Sequence, residues 1–144
     1  MALQSTMYQK QNIYVSAAPW TTHEFFAGSG LVAYGLKGMF APVWANDISE
    51  QKAAVYEANF GCNQFILDDI KNIKGSVLPF AHLSWASFPC QDLSLAGSIG
   101  GIYASRSGLV WEWLRVLDEM DNKPKILLVE NVAGLLSTNG GDNY

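Results

Sequence analysis

Two residues stand out for the chemistry they could do: Cys90, in Ser87-Phe88-Pro89-Cys90-Gln91-Asp92, and Glu130, in Val129-Glu130-Asn131. A thiolate is a strong nucleophile once its surroundings lower its pKa, and the proline before Cys90 stiffens the turn that would present it. A carboxyl group can move a proton or hold the polar edge of a substrate. Each has an ordinary alternative. Most lone cysteines are small buried hydrophobes, and carboxylates at strand ends often cap the next turn. A second pair concerns ligand binding. The glycine turn Phe26-Ala27-Gly28-Ser29-Gly30 would let backbone approach a ligand closely, and Asp47 could accept hydrogen bonds from both hydroxyls of a ribose. Alone, a Gly-x-Gly reads as a structural turn. With Asp47 it points to a nucleotide-like ligand, and without the full G-x-G-x-x-G spacing a mononucleoside fits better than a dinucleotide. His23 and His82 are isolated and no Cys/His cluster has zinc spacing, so no metal is expected.

These residues need elements to position them. Residues 1–20 read as a polar, irregular leader arm and 21–144 as the folded part. His23 to Phe26 reads as a first strand, followed by the glycine turn and a helical stretch from Leu31 to Leu36. Pro42 to Ala45 is a second strand, after which Ser49 caps a helix to about Phe60, ended by Gly61. Phe65 to Leu67 and His82 to Ala86 read as third and fourth strands. Leu109 to Met120 is a helix by its apolar spacing, and Lys125 to Val129 is a fifth strand, apolar as a buried parallel strand should be. Strand–helix alternation of this kind predicts an α/β fold with an open, mostly parallel sheet, whose ligand site lies beyond the carboxyl ends of the strands. Every suspicious cluster follows a predicted strand there: Gly28-Ser29-Gly30, Asn46-Asp47, Asp68-Asp69, Pro89-Cys90-Gln91 and Glu130-Asn131.

Composition bounds the answer. The chain has 144 residues, 49% hydrophobic and 15% charged, with a formal charge of −4. That suits one domain with a real core and excludes a disordered chain. It also argues against a free-standing DNA-coating protein, since no basic excess is present to neutralise phosphates. No segment approaches the ~20 apolar residues that span a bilayer, and the N-terminal stretch lacks the pattern of a signal peptide. With two cysteines and no other sign of secretion, a reduced cytoplasmic chain is the expected setting.

In combination, Phe-Ala-Gly-x-Gly, Pro-Cys-Gln and Glu-Asn-Val, in this order, resemble the DNA cytosine carbon-5 methyltransferases. Val55-Tyr56-Glu57-Ala58-Asn59-Phe60-Gly61 after Asn46-Asp47, the pair Asp69-Ile70, and Ser105-Arg106-Ser107-Gly108-Leu109 extend the likeness from about Glu24 to Leu136. The resemblance implies a Rossmann-like, S-adenosylmethionine-dependent methyltransferase fold, of the kind found in restriction–modification systems of prokaryotes or phages. It implies cytoplasmic, nucleoid-associated work on duplex DNA, with the target cytosine flipped out of the stack.

The same resemblance assigns roles. Cys90 would add to cytosine carbon-6, and Glu130 would hold the base at N3 and its exocyclic amine. Phe26, Gly28, Ser29 and Gly30 would wrap the methionine end of the cofactor. Asp47 would take the ribose hydroxyls and Ile48 would lie against the adenine. Asp69 and Ile70 would meet the adenine amine and ring, and Pro89 and Leu109 would line the remaining wall. Gln91 and Ser94 would touch the DNA, and Arg106 would brace the site, within a Gly- and Ser-rich lid from Gln91 to Gly108. Two positions depart from the family pattern: Ile48 replaces a frequent aromatic, and Leu31 stands where a further glycine is expected. Complete family members continue past Glu-Asn-Val with the rest of the sheet, a target-recognition domain and a last cofactor-binding helix. The sequence therefore reads as an incomplete fold, the N-terminal catalytic part, working with a missing portion or a second chain. The alternatives are a catalytically silent remnant that still binds S-adenosylmethionine, and a cytosine-5 methyltransferase acting on transfer RNA.

Overall fold

The computed structural model describes residues 20–89 and 108–132. They form one sheet of five parallel strands flanked by short helices. In chain order the elements are β1 (Trp20–Phe25), α1 (Leu31–Gly35), β2 (Phe40–Asp47), α2 (Glu50–Phe60), β3 (Phe65–Leu67), β4 (Leu83–Ala86), α3 (Leu109–Asp118) and β5 (Ile126–Val129). The strands lie side by side as β3-β2-β1-β4-β5. Every neighbouring pair is parallel, with Glu24 of β1 opposite Ala45 of β2 and Trp85 of β4. All five carboxyl ends therefore fall on one edge, and the order reverses beside β1, where such sheets bind ligands.

Local chemistry explains the punctuation. Ser49 caps α2, its hydroxyl accepting from the Lys52 N–H, and Gly61 ends the helix at φ 87°. Ala53, Tyr56 and Phe60 of α2 pack with Ala33, Ala45 and Phe65 into a core on one face of the sheet. On the other face Phe25, Trp44 and Ala86 pack against Trp113, Val116 and Leu117 of α3. Trp113 Nε1 donates to Ser84 Oγ at 3.0 Å, so the hydroxyl that β4 buries is used. His23 is buried with its Nε2 donating to the Pro79 carbonyl at 2.7 Å, and burial holds its pKa below the usual histidine value. His82 accepts the Thr21 N–H at Nδ1.

The structure departs from the sequence reading at several points. Strand β1 begins at Trp20, inside the expected leader arm, and stops at Phe25, because Phe26 turns into the left-handed region at φ 57°. Strand β2 is longer than Pro42 to Ala45 in both directions. Two 3-10 turns, Ile70–Asn72 and Gly75–Val77, occupy the connection before β4 and carry no apolar period that would reveal them. The expectation that the fifth strand is buried is overturned: Ile126, Leu127, Leu128 and Val129 are 37–52% exposed, because β5 lies at the edge of the described sheet, paired with β4 on one side.

Candidate active site

The site begins with the turn after β1. Phe26 is the one non-glycine with positive φ among the described residues, a strained conformation for a bulky side chain. Its ring meets that of the buried Phe88 edge-on at 6.5 Å, and this contact ties the turn to the segment leaving β4. Gly28 follows at φ 57° and donates its N–H to Asp47 Oδ2 at 2.9 Å. Asp47 Oδ1 accepts the Ser49 N–H at the same distance. The carboxylate is thus clamped between two backbone donors, and each oxygen keeps a further lone pair for a ligand. Asn46, buried beside it, donates from Nδ2 to the carbonyls of Ile66 and Asp68 and so holds the end of β3 against β2.

Two clefts open along this edge. The first, of about 340 Å³, is lined by Asp47, Ile48, Asp69, Ile70, Pro89 and Leu109 among others, a set that combines two carboxylates with apolar walls. This volume falls in the range of small-molecule sites. The second, of about 690 Å³, is lined by the turn residues Phe26 to Ser29, by Trp85 and by Glu130. Phe26, Lys52 and Ser87 line both, so the clefts adjoin. Glu130 is placed by the sheet: its N–H donates to the Ala86 carbonyl at 3.0 Å, extending the β4–β5 ladder by one rung. It therefore sits beside the chain that runs from Ala86 through Ser87 to Pro89. Trp85 Nε1 fixes Ser87 from below, donating to its hydroxyl at 2.8 Å.

The connection carrying Asp69 and Ile70 is anchored from α3. Arg115 donates from Nη2 to the carbonyls of Ile70 and Ile73, both at 3.1 Å, while Glu112 and Glu119 flank its guanidinium. These two carboxylates hold the guanidinium even more firmly protonated than usual. Glu119 also accepts the Gly75 N–H at 2.8 Å, and that bond and Arg115 pull its own pKa below the usual carboxylate value. Asp69 Oδ1 accepts the Lys71 N–H and so caps the first 3-10 turn.

Of the residues expected in the site, Phe26, Asp47, Ile48, Asp69, Ile70, Pro89 and Leu109 meet around the first cleft. Phe26, Gly28, Ser29 and Glu130 meet around the second. Gly30 is the exception, since it lines neither cleft. A Cβ there would collide with the Phe60 ring, at a backbone φ of 86°, so the missing side chain lets α2 pack against the turn. Cys90, Gln91, Ser94 and Arg106 lie outside the described residues. The sequence reading placed Asn46 and Asp68 at this edge without giving them a role, and it missed Lys52, Ser87 and Glu24 as cleft residues. Asn46 and Asp68 adjoin residues it did select, whereas Lys52, Ser87 and Glu24 gave no signal without the fold.

A pinned acid after the second strand, a glycine turn after the first, and a carboxyl group beside the exit of the fourth fit a nucleoside ligand and a reacting partner next to it. Comparison with known proteins identifies the family. The chain is 36% identical over 122 residues to the type II methyltransferase M.Bsp6I of Bacillus sp. (strain RFL6), covering 83% of this chain and 38% of that protein. It is 38% identical over 125 residues to M.PspPI of Psychrobacter sp. (strain TA137), covering 82% and 28% respectively. The chain thus spans about a third of the length of these relatives. Among solved structures, the S. pombe Dnmt2 methyltransferase aligns with a TM-score of 0.66 at 25% identity, over 86% of this chain and 39% of that one. The sequence model of the C-5 cytosine-specific DNA methylases matches residues 20–144, and the chain belongs to that family.

Proposed function

We propose that this chain is the part of a methyltransferase that binds S-adenosylmethionine and activates cytosine, for methylation of DNA at carbon-5 together with a further portion or partner chain that selects the target. The observation that carries this reading is the junction of the two clefts at Phe26 and Ser87, with Glu130 on one side and Pro89, the residue before Cys90, on the other. The first cleft fits the nucleoside half of the cofactor. Asp47 offers its free lone pairs to the ribose hydroxyls, Asp69 offers an acceptor to an exocyclic amine, and Ile48, Ile70 and Leu109 give apolar walls to a base. When bound, the cofactor supplies an electrophilic methyl group.

Carbon-5 of cytosine is a poor nucleophile, and the protein's task is to raise its electron density. The Cys90 thiolate adds to carbon-6 of the base, forming a carbon–sulfur bond and breaking the ring's aromaticity. Glu130 holds N3 and the exocyclic amine and stabilises the protonated ring during that attack. After carbon-5 has been methylated, loss of its proton restores the double bond and expels the cysteine.

Covalent trapping tests the reading. Fluorine at carbon-5 cannot leave as a proton does, so duplex DNA or RNA containing 5-fluorocytosine should hold Cys90 in a denaturation-resistant complex when S-adenosylmethionine is present. The complex should vanish in Cys90→Ala. A DNA adduct supports the proposal, and an adduct with RNA alone replaces the substrate. Failure to form either, even with a family C-terminal portion added in trans, would reduce the chain to a silent cofactor-binding remnant.

A further inference from the structure

Carboxyl groups dominate the two clefts: among the described residues, Asp47, Asp68 and Asp69 line the first, and Glu24 and Glu130 line the second. One described cation stands against them, Lys52, and it lines both clefts. It sits in the first turn of α2, three residues after the Ser49 cap. Acids are favoured at that end of a helix, where the dipole is positive; Glu50 meets the preference and Lys52 works against it. The lysine stem crosses the glycine turn, since a Cβ added at Gly28 would stand 3.9 Å from Lys52 Cδ. The residue is exposed, and its ammonium has no ion pair or hydrogen bond among the described residues. An unpaired positive charge therefore stands where the clefts meet, beside Phe26 and Ser87.

A nucleoside in the first cleft and a base beside Glu130 in the second leave the reacting sulfur at that junction. We propose that Lys52 sets, by its charge, the relative affinity for cofactor and product, an inference that rests on the methyltransferase reading. S-adenosylmethionine carries a sulfonium cation. Transfer of its methyl group to carbon-5 breaks a carbon–sulfur bond, the bonding pair stays on sulfur, and S-adenosylhomocysteine is left with a neutral thioether. The two ligands share adenine, ribose, ammonium and carboxylate, so contacts to those groups cancel when their affinities are compared. Ionised carboxylates around the clefts favour the charged ligand, and Lys52 disfavours it. The site thus holds the cofactor less tightly than its carboxylates alone would, and the repulsion ends once the methyl group has left.

Calorimetric titration of the chain with each ligand, without DNA so that no methyl group is transferred, reads this balance. Lys52→Met keeps most of the stem and removes the charge. Its affinity for S-adenosylmethionine relative to S-adenosylhomocysteine should rise by roughly twofold to fivefold, the effect of unit charges several ångströms apart beside water. Lys52→Arg should keep the wild-type ratio. At about 1 M salt, where the screening length falls to about 3 Å, the ratios of wild type and Lys52→Met should converge. Equal weakening of both ligands in Lys52→Met would put the lysine on a group they share and overturn the discrimination. Two unchanged affinities would overturn it as well. Binding of neither ligand by the wild type would overturn the cofactor reading, and this inference with it.

Discussion

A buried acid such as Glu24 makes the stability of the fold depend on pH, whatever binds beside it. Its pKa is raised from 4.5 to about 8, so the folded state holds the proton more tightly than the unfolded chain does. The stability this group contributes is present in full below about pH 4.5, declines as pH rises through the interval, and is lost above about pH 8. The span corresponds to on the order of 5 kcal/mol at 1.36 kcal/mol per unit. Urea unfolding should therefore show the wild type losing stability from pH 5 to pH 8 relative to Glu24→Gln, and equal slopes for the two would disprove the burial argument. Comparing the pair cancels His23, whose lowered pKa acts at the acid end. Among residues, legibility followed how local the signal is. Pro89 and Glu130 stand in the short motifs Pro89-Cys90-Gln91 and Glu130-Asn131-Val132 and both line a cleft, while Cys90 and Gln91 lie outside the described residues. Glu24 is one polar residue in a strand, and only the packing of α1 above it turns it into a buried acid facing a cleft. Gly30 belongs to a ligand motif, and only the fold shows that its missing Cβ also makes room for Phe60.

Elements were legible where an apolar period or a cap marks them, and poorly legible where tertiary contact creates them. Ser49 and Gly61 bracket α2 because a hydroxyl cap and a left-handed terminal glycine are local devices, and Phe65–Leu67 needs only its three apolar residues. The connection from Asp69 to Leu78 has no such pattern, because α3 holds it through Arg115 and Glu119. That makes α3 a remote support of the cofactor wall. Removing the guanidinium in Arg115→Ala leaves the carbonyls of Ile70 and Ile73 without their charged donor. Hydrogen bonds of this kind are worth about 1.5–3 kcal/mol each when buried, and partial exposure reduces the expected loss here to about 1–2 kcal/mol. Glu112→Ala breaks only a half-exposed ion pair and should cost under about 1 kcal/mol. Denaturation midpoints rank the two, and the affinity for S-adenosylhomocysteine should fall in Arg115→Ala alone. Equal effects on both readouts would show that the connection holds its shape without α3.

At the scale of the whole molecule, the sheet shows a mismatch between sequence and surroundings. Central strands of a parallel sheet are apolar because helices cover both faces, and β5 has that composition while its side chains are about half exposed. Strand β3 at the opposite edge has three residues, whereas β5 offers four consecutive large apolar side chains and, among the described residues, a second backbone edge unpaired by any strand. The matched stretches cover 38% and 28% of the two relatives compared, so most of each relative lies outside the match. A flat apolar edge of this kind recruits other strands, and burying it is worth about 25 cal/mol per Å² of apolar surface. The 144-residue chain should therefore self-associate reversibly at concentrations of roughly 100 μM. Leu127→Lys places a charge on the exposed edge without touching the core or either cleft, and should shift the population toward monomer in sedimentation velocity while leaving the unfolding midpoint nearly unchanged. Addition of a family C-terminal portion should suppress the association of the wild type by the same route, because one surface cannot pair with two partners. A wild type that sediments as a monomer at that concentration, with Leu127→Lys indistinguishable from it, would show that the edge of β5 is not adhesive and that its apolar run serves only the face toward β4.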